Sequence, residues 1–146
     1  MCYRCNYMSL LENRGLDYTP NRFRVLEIIG NSSSPLSVQE IHETLSRSRN
    51  LNRVTVYRIL ELLVEKQLVE RISGGDRSFH YGLAPNANHP RHAHFYCREC
   101  GNIECLDPES LNLDMESLER TFPGLIEKTE VRLDGICKNC LKFQKV

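Results

Sequence analysis

The beginning of the chain alternates apolar stretches of helical periodicity with short polar breaks, and this pattern predicts three helices. The first lies within residues 3–15 and ends at Gly15, a typical C-terminal stop. Thr19 caps the second helix, which begins at Pro20 and ends near Gly30. Ser37 begins the third helix with a capping box that Glu40 completes. The predicted buried positions of the second and third helices are Phe23, Val25, Leu26, Ile28, Ile29, Ile41 and Leu45.

A fourth helix follows Leu51, and a β-hairpin comes directly after it. Apolar residues at helical spacing predict burial of Val54, Tyr57, Ile59, Leu60, Leu63 and Val64. Two β-type runs, Leu68–Ile72 and Ser78–Leu83, are joined by a turn at residues 73–76 that contains two glycines. The second, third and fourth helices followed by a hairpin indicate a winged helix-turn-helix, whose last helix enters the major groove of DNA. The alternative is an α/β fold whose helices only pack, but the arginines and hydroxyls at the head of the fourth helix favour DNA binding.

Residues 84–90 have the composition of a linker, with two prolines, two asparagines and no aliphatic run. We therefore predict an α+β protein in three parts: a winged-helix DNA-binding domain at 1–83, a hinge linker at 84–91, and a small α/β dimerisation and metal-binding domain at 92–146. The elements predicted in this last domain are strands at Ala93–Tyr96, Ile103–Leu106 and Ile126–Leu133 and a helix at Glu109–Thr121. A domain of roughly 60 residues has little core, so it should need a metal and a dimer partner.

Two Cys-x-x-Cys pairs, Cys97 with Cys100 and Cys137 with Cys140, predict a closed four-sulfur zinc site that holds this domain together. Gly101 fits this interpretation, since glycine allows a sharp turn around the metal. The alternative is free or disulfide-bonded cysteines in a secreted module. Seven cysteines without an apolar leader segment point instead to a reducing cytosol and to metal binding.

Charge narrows the possible partners only a little. The 146 residues carry 19 basic and 19 acidic side chains. Residues 1–82 hold 11 Lys and Arg against 9 Asp and Glu, and residues 83–146 hold 8 against 10. This asymmetry permits nucleic-acid binding by the first half. Because no apolar run is long enough to span a membrane, we expect a cytoplasmic protein with no membrane partner.

The whole chain resembles the ferric uptake regulator superfamily of bacterial metal-dependent repressors. The resemblance is carried by Thr19–Arg22, by Val54–Leu60, by His92-Ala-His94 with the first cysteine pair, and by Gly135–Cys140. It implies a transcriptional repressor, not an enzyme, that binds a double-stranded DNA operator of two-fold character as a homodimer when a regulatory divalent metal is bound. Members sense iron, zinc, manganese, nickel or, through iron oxidation, peroxide.

By this resemblance the regulatory metal is held by His80, His92, His94 and Cys105. Independently, His92 and His94 alternate on a predicted strand, so both imidazoles should point to one face. Each of the three histidines could instead be packed or exposed without a metal. Cys105 stands where the family usually has an acidic residue, and a thiolate with imidazoles favours Zn²⁺ over Fe²⁺ or Mn²⁺.

Other residues leave alternatives open at this site. Cys105 could be a small buried apolar residue, while Glu104 should point to the opposite strand face. His89 is a spare imidazole in the linker. The additional dimerisation-domain metal site of many members should be absent, so we expect two metals per chain.

Cys2 and Cys5 could be an extra ligand pair, a redox switch or two thiols on a mobile terminus, and we favour the last.

The resemblance also implies the DNA contacts. Tyr57 and Arg58 would contact bases or phosphates, and Arg53 and Thr55 would contact the DNA backbone. For Tyr57 this role competes with burial, because it also belongs to the predicted apolar stripe of the helix. Arg22 belongs to the same predicted set, whereas Asp17 stands where many members have a basic residue.

We therefore predict a zinc-responsive repressor. The alternative within the family is an iron-, manganese- or peroxide-responsive sensor. More distant alternatives are a zinc hydrolase using the three histidines and a thiol redox protein.

Overall fold

The computed structural model of the chain describes residues 6–73, 79–86 and 91–144. The chain divides into two compact units, Met1–Arg91 and His92–Val146. In the described ranges no helix combines the length and apolar character that a membrane span requires. Cys2, Cys5, His89 and most of the predicted hairpin turn lie outside the described residues.

The first unit consists of helices followed by a small antiparallel sheet. In chain order its elements are α1 (Tyr7–Asn13), α2 (Pro20–Asn31), β1 (Leu36–Ser37), α3 (Val38–Ser46), α4 (Arg53–Glu65), β2 (Val69–Ser73) and β3 (Phe79–Leu83). This order confirms the predicted winged helix-turn-helix, in which α4 is the helix expected to enter the major groove.

Local capping explains why the helices begin where the sequence predicts. The Thr19 hydroxyl accepts a hydrogen bond from the Arg22 N–H at 3.1 Å, and Pro20 is the first residue of α2. At α3 the Ser37 hydroxyl accepts from the Glu40 N–H at 3.2 Å, and the Glu40 carboxylate accepts from the Ser37 N–H at 3.4 Å. Both caps satisfy backbone donors that a helix leaves without partners.

The core of the first unit lies between α2, α3, α4 and the hairpin. Leu26, Ile41, Leu45, Leu60 and Leu63 have no exposed surface at all. All the predicted buried positions of α2 and α3 are confirmed except Phe23, which is half-buried against the core.

The predicted buried stripe of α4 is wrong at its first turn. Val54 is 57% exposed and Tyr57 is 47% exposed, whereas Val56 is fully buried. Apolar residues occupy most positions of this helix, so its sequence allows more than one stripe, and packing against α2 and α3 selects the one through Val56, Leu60 and Leu63. The side chains of Val54 and Tyr57 at the head of α4 are therefore exposed and can contact a binding partner.

The first unit's sheet has the strand order β1-β3-β2, and both pairings are antiparallel. Val69 pairs with Leu83, Arg71 with Tyr81, and Ser73 with Phe79, which confirms the predicted hairpin. His80 lies in the middle strand, between Ser37 and Ile72.

The second unit contains β4 (His94–Cys97), β5 (Ile103–Cys105), α5 (Met115–Thr121), β6 (Arg132–Gly135) and α6 (Lys138–Phe143). Its sheet has the order β5-β4-β6, with β4 antiparallel to β5 and parallel to β6. The predicted strand Ile126–Leu133 is largely wrong, because only its last two residues belong to β6. The predicted helix begins later than expected, at Met115, where the Asp114 carboxylate accepts the Ser117 N–H at 3.0 Å.

Few side chains are buried in the second unit. Neither α5 nor α6 has a buried residue. Its buried positions among the described residues are Ala93, His94, Tyr96, Cys97, Ile103 and Cys137. Half of these buried residues, namely His94, Cys97 and Cys137, are of types that can bind a metal.

Candidate metal centres and nucleic-acid interface

The two Cys-x-x-Cys pairs come together at one end of the second unit's sheet. Cys97 ends β4, Cys100 follows in a turn, and Cys137 and Cys140 lie at the start of α6. The four sulfur atoms all lie within 4.8 Å of one another, and those of Cys100 and Cys137 are 3.8 Å apart. Tetrahedral Zn–S bonds of about 2.3 Å place sulfurs about 3.8 Å apart. The predicted four-cysteine set thus fits a structural zinc ion.

Backbone hydrogen bonds contribute to the geometry of this cluster. The turn after β4 closes through a hydrogen bond from the Gly101 N–H to the Cys97 carbonyl at 2.8 Å, and Gly101 has a φ of +77°, which favours glycine. The backbone N–H of Cys137 also donates to the Cys97 sulfur at 3.3 Å. Both contacts hold the two cysteine pairs in place.

The thiols of this cluster differ in their readiness to ionise. Hydrogen bonds from the backbone N–H of Cys100 and then of Cys137 lower the pKa of the Cys97 thiol to about 6. Hydrogen bonding to the Cys137 sulfur, followed by burial, raises the pKa of Cys140 to about 12. Four adjacent thiolates repel one another, so a dication is needed to hold all of them ionised.

A second cluster lies further along the same sheet and joins His92, His94 and Cys105. Their ligand atoms all lie within 4.8 Å of one another. His94 on β4 pairs directly with Cys105 on β5, so the two side chains share a sheet face. The His92 and His94 ring centroids are 4.7 Å apart, which agrees with the expectation that alternate residues point the same way. Glu104 pairs with Phe95 and therefore lies on the opposite face.

Exposure differs across this second cluster. His94 is 4% exposed, His92 is half-buried, and Cys105 is exposed. The alternative interpretation of Cys105 as a buried apolar residue is therefore wrong. A solvent-facing thiol next to a buried imidazole can bind a cation that arrives from solvent, and one thiolate with two imidazoles is a soft ligand set.

His80, the remaining predicted ligand, lies on β3 in the first unit. Its side chain is half-buried, and among the described residues its buried Nδ1 has no hydrogen-bond partner. Buried polar atoms normally have one, so this nitrogen is suited to a metal or a water ligand.

The predicted DNA contacts gather at the head of α4. Arg53, Tyr57 and Arg58 are exposed there, and so is Val54, which sequence reasoning assigned to the core. Thr55 is half-buried, and its hydroxyl donates to the Asn52 side chain at 3.0 Å. Asn52 caps α4 by accepting the Thr55 N–H at 2.9 Å. Sequence reasoning did not predict this cap, although asparagine is a preferred N-cap residue and Asn52 directly precedes the helix.

Arg22 belongs to a different helix and lies at the start of α2. Its guanidinium donates a hydrogen bond to the backbone carbonyl of Asp17 at 3.0 Å. This bond connects α2 to the segment that precedes it. A role of Arg22 in DNA binding stays a prediction.

Known proteins of one family are similar to this chain. The Ferric uptake regulator family matches residues 13–123 of the 146. The chain belongs to this family. The ferric uptake regulation protein of Bacillus subtilis is 29% identical over 132 residues, which cover 89% of each chain. The peroxide operon regulator of the same organism is 26% identical over 137 residues, covering 92% of this chain and 91% of its own.

Solved structures of the family share the fold. The Helicobacter pylori ferric uptake regulator superposes with a TM-score of 0.74 at 22% identity, over 99% of this chain and 100% of its own. A zinc uptake regulator in complex with zinc and DNA superposes with a TM-score of 0.64 at 21% identity, over 93% of this chain and 91% of its own.

Family membership decides between several alternatives. This member of the ferric uptake regulator family is a metal-responsive transcriptional regulator and not an enzyme, so the zinc-hydrolase interpretation is wrong. The α+β fold and the four-cysteine cluster agree with the predicted architecture. Membership does not select a metal, since iron, zinc, manganese and peroxide regulators are all similar to this chain.

Proposed function

We propose that this chain is a zinc-responsive repressor of the cytoplasm, which binds a two-fold operator as a homodimer. In this proposal the four-cysteine zinc maintains the fold. A second zinc bound by His92, His94, Cys105 and His80 is the signal. The observation that carries the proposal is the cluster of His92, His94 and Cys105, whose ligand atoms lie within 4.8 Å of one another.

The ligand chemistry supports zinc as the signal. A thiolate and imidazoles satisfy the tetrahedral, borderline-soft preference of Zn²⁺, whereas Fe²⁺ and Mn²⁺ gain more from carboxylate oxygens. The family's usual acidic residue is replaced here by Cys105 on β5, and Glu104 lies on the other face of the strand. The sheet therefore offers sulfur and not oxygen at this position.

The proposed switch follows from His80 being a ligand in the first unit and the others being ligands in the second. A metal that binds all four fixes the DNA-binding unit of each protomer relative to the dimer, and hence the spacing of the two α4 helices. Thermodynamic linkage then requires that operator DNA raises zinc affinity by the same factor by which zinc raises operator affinity.

Exposed apolar side chains of the second unit support a homodimer. Leu118 and Phe122 at α5 are 46% and 51% exposed, and Leu133 on β6 is 47% exposed. Since α5 buries no residue within one chain, a second copy is the partner that we propose for it.

The test is operator binding by protein that is chelated until only the four-cysteine zinc remains. The DNA is the region upstream of the chain's own gene, and zinc, iron(II) or manganese(II) is returned from a metal buffer. We expect buffered trace zinc to restore binding and Cys105→Ser to weaken this response. Restoration by iron or manganese alone, with no effect of Cys105→Ser, would contradict the proposal.

An iron- or peroxide-responsive regulator is the second candidate. It is favoured by the 29% identity to the Bacillus subtilis ferric uptake regulation protein. The same titration separates the two candidates. An iron sensor that responds to peroxide should also lose operator binding when peroxide is added to its iron-loaded form.

A further inference from the structure

Three of the four proposed ligands of the regulatory metal belong to the second unit alone. His94 and Cys105 are directly paired across β4 and β5, and His92 lies two residues before the start of β4. The ligand atoms of these three residues all lie within 4.8 Å of one another. His80, by contrast, lies on β3 in the first unit. A metal ion that needs only three ligands can therefore be bound without any residue of the DNA-binding unit.

Within the described part of the chain, no carboxylate joins this group of three ligands. Glu104 pairs with Phe95 and lies on the opposite face of the strand. Asp134 on β6 accepts hydrogen bonds from the Arg132 guanidinium at 2.7 and 3.1 Å, so its charge is already compensated. The ligand set of the second unit is therefore one sulfur and two imidazole nitrogens.

This set of three ligands suits zinc and copper(I) differently. Zn²⁺ in proteins is almost always four-coordinate, so three ligands leave one position that His80 or water must fill. Copper(I) is a soft ion that thiolates and imidazoles bind well, and two or three ligands complete its coordination. With the Cys105 thiolate, Cu⁺ forms a neutral centre, whereas Zn²⁺ leaves a positive charge. His94 is 4% exposed, and a net charge next to a buried group is costly.

We propose that His92, His94 and Cys105 form a three-ligand site for copper(I), and that copper(I) bound there competes with zinc without engaging His80. The copper-loaded chain then lacks the link to the first unit and does not bind its operator. Copper(I) is an antagonist of the zinc signal, because a ligand shifts an equilibrium only by its differential affinity for the two states. The antagonism rests on the proposed function, whereas the copper site does not.

Anaerobic titration of the full chain with copper(I) tests the site in the absence of DNA. The four-cysteine site is first filled with zinc, and copper(I) is supplied in competition with bathocuproine disulfonate, whose colour reports the copper that it holds. Cys2→Ser combined with Cys5→Ser is the common background, so that these two thiols cannot bind copper. In this background Cys105→Ser should lower copper(I) affinity by about 100-fold or more.

Replacement of His80 distinguishes the two metals. His80→Gln should lower the zinc affinity of the regulatory site by about 10-fold or more and leave its copper(I) affinity unchanged. His42→Gln is the matched control. It removes another half-buried histidine of the first unit, whose ring contacts the Leu51 carbonyl, and should change neither affinity. An equal loss of copper(I) affinity in His80→Gln overturns the three-ligand site, and so does an unchanged affinity in Cys105→Ser.

X-ray absorption at the copper edge shows which atoms bind the ion. We expect one sulfur and two nitrogen ligands, with the zinc of the four-cysteine site retained. Two or more sulfur ligands, or release of that zinc by the first equivalent of copper, would place copper among the paired cysteines and overturn the inference.

Operator binding tests the antagonism. One equivalent of copper(I) added to the zinc-loaded background protein should abolish operator binding, and bathocuproine disulfonate should restore it in buffered zinc. Operator binding that persists in the copper-loaded chain overturns the antagonism. If the zinc-loaded protein itself has no affinity for the operator, the proposed function fails, while the titration without DNA still decides the copper site.

Discussion

His94 and Cys105 face each other across two antiparallel strands, one imidazole buried and one thiol exposed. Backbone pairing fixes their separation, so the two proposed ligands are held side by side by the sheet. The buried imidazole gives rigidity and the exposed thiol gives access, which are the two properties that a reversible metal sensor requires.

Replacement of Cys105 should change both the strength and the type of metal binding. We expect Cys105→Ser to reduce zinc affinity by roughly 100-fold, since even changes in residues that only support ligands cost about 10–100-fold. Cobalt(II) added to protein whose four-cysteine site holds zinc should give a sulfur-to-cobalt absorption band in the wild type and none in Cys105→Ser.

Cys105→Asp is the informative companion to this variant. It should retain metal binding with a preference shifted towards iron and manganese, because it restores an oxygen ligand. A cobalt band that survives in Cys105→Ser would show that Cys105 is not a ligand.

Zinc removal should unfold the second unit and leave the first one folded. The second unit buries few apolar side chains, whereas the first has a continuous core. Metal binding supplies folding free energy on the order of 10 kcal/mol in small zinc domains. Amide hydrogen exchange after removal of all zinc should show rapid exchange throughout residues 92–144 and continued protection around Leu60 and Leu63.

Cys100→Ser should reproduce this loss of protection, and Cys105→Ser should not. The prediction is wrong if the second unit keeps its protection without metal, since its apolar contacts would then suffice.

Two valines two residues apart on α4 should respond differently to truncation. Val56→Ala removes two buried methyl groups and should cost about 2 kcal/mol of unfolding free energy. Val54→Ala changes a side chain that is 57% exposed and should change stability by less than about 0.5 kcal/mol. The chain contains no tryptophan, so urea denaturation followed by circular dichroism is the suitable measurement. Equal losses would place both valines in the core.

The N-cap of α4 should contribute to stability and to DNA binding together. The Asn52 side chain accepts from both the backbone and the hydroxyl of Thr55. Asn52→Ala should cost about 1 kcal/mol of stability and weaken operator binding, because the helix end that presents Arg53 would fray. Asn52→Asp keeps the cap and should keep stability, measured by thermal denaturation. A stable Asn52→Ala variant would show that the cap is dispensable.

Sequence reasoning succeeded where local chemistry determines the structure. Thr19 and Ser37 begin their helices as predicted, because a capping side chain bonds to residues only three positions away. The cysteine pairs came together as their spacing indicated, since a shared metal site constrains four ligands at once.

It failed where distant packing decides between local alternatives. Val54 and Val56 both suit a helix, and only the approach of α2 and α3 determines which one is buried. Likewise β6 takes its register from parallel pairing with β4 and not from its own alternation. The resemblance implied that Cys105 and His94 share a metal site, whereas their direct pairing across the two strands could not follow from spacing alone.

The exposure of helix α5, which has no buried residue, has a consequence for the amount of repressor in a cell. Because α5 buries no residue within one chain, we expect the second unit to be partly unfolded in a newly made chain that has neither zinc nor a partner. Proteases degrade unfolded segments, so we expect the lifetime of the chain to shorten during zinc starvation. Faster degradation would lower the concentration of the repressor. Loss of the regulatory metal and loss of the protein would then both decrease repression.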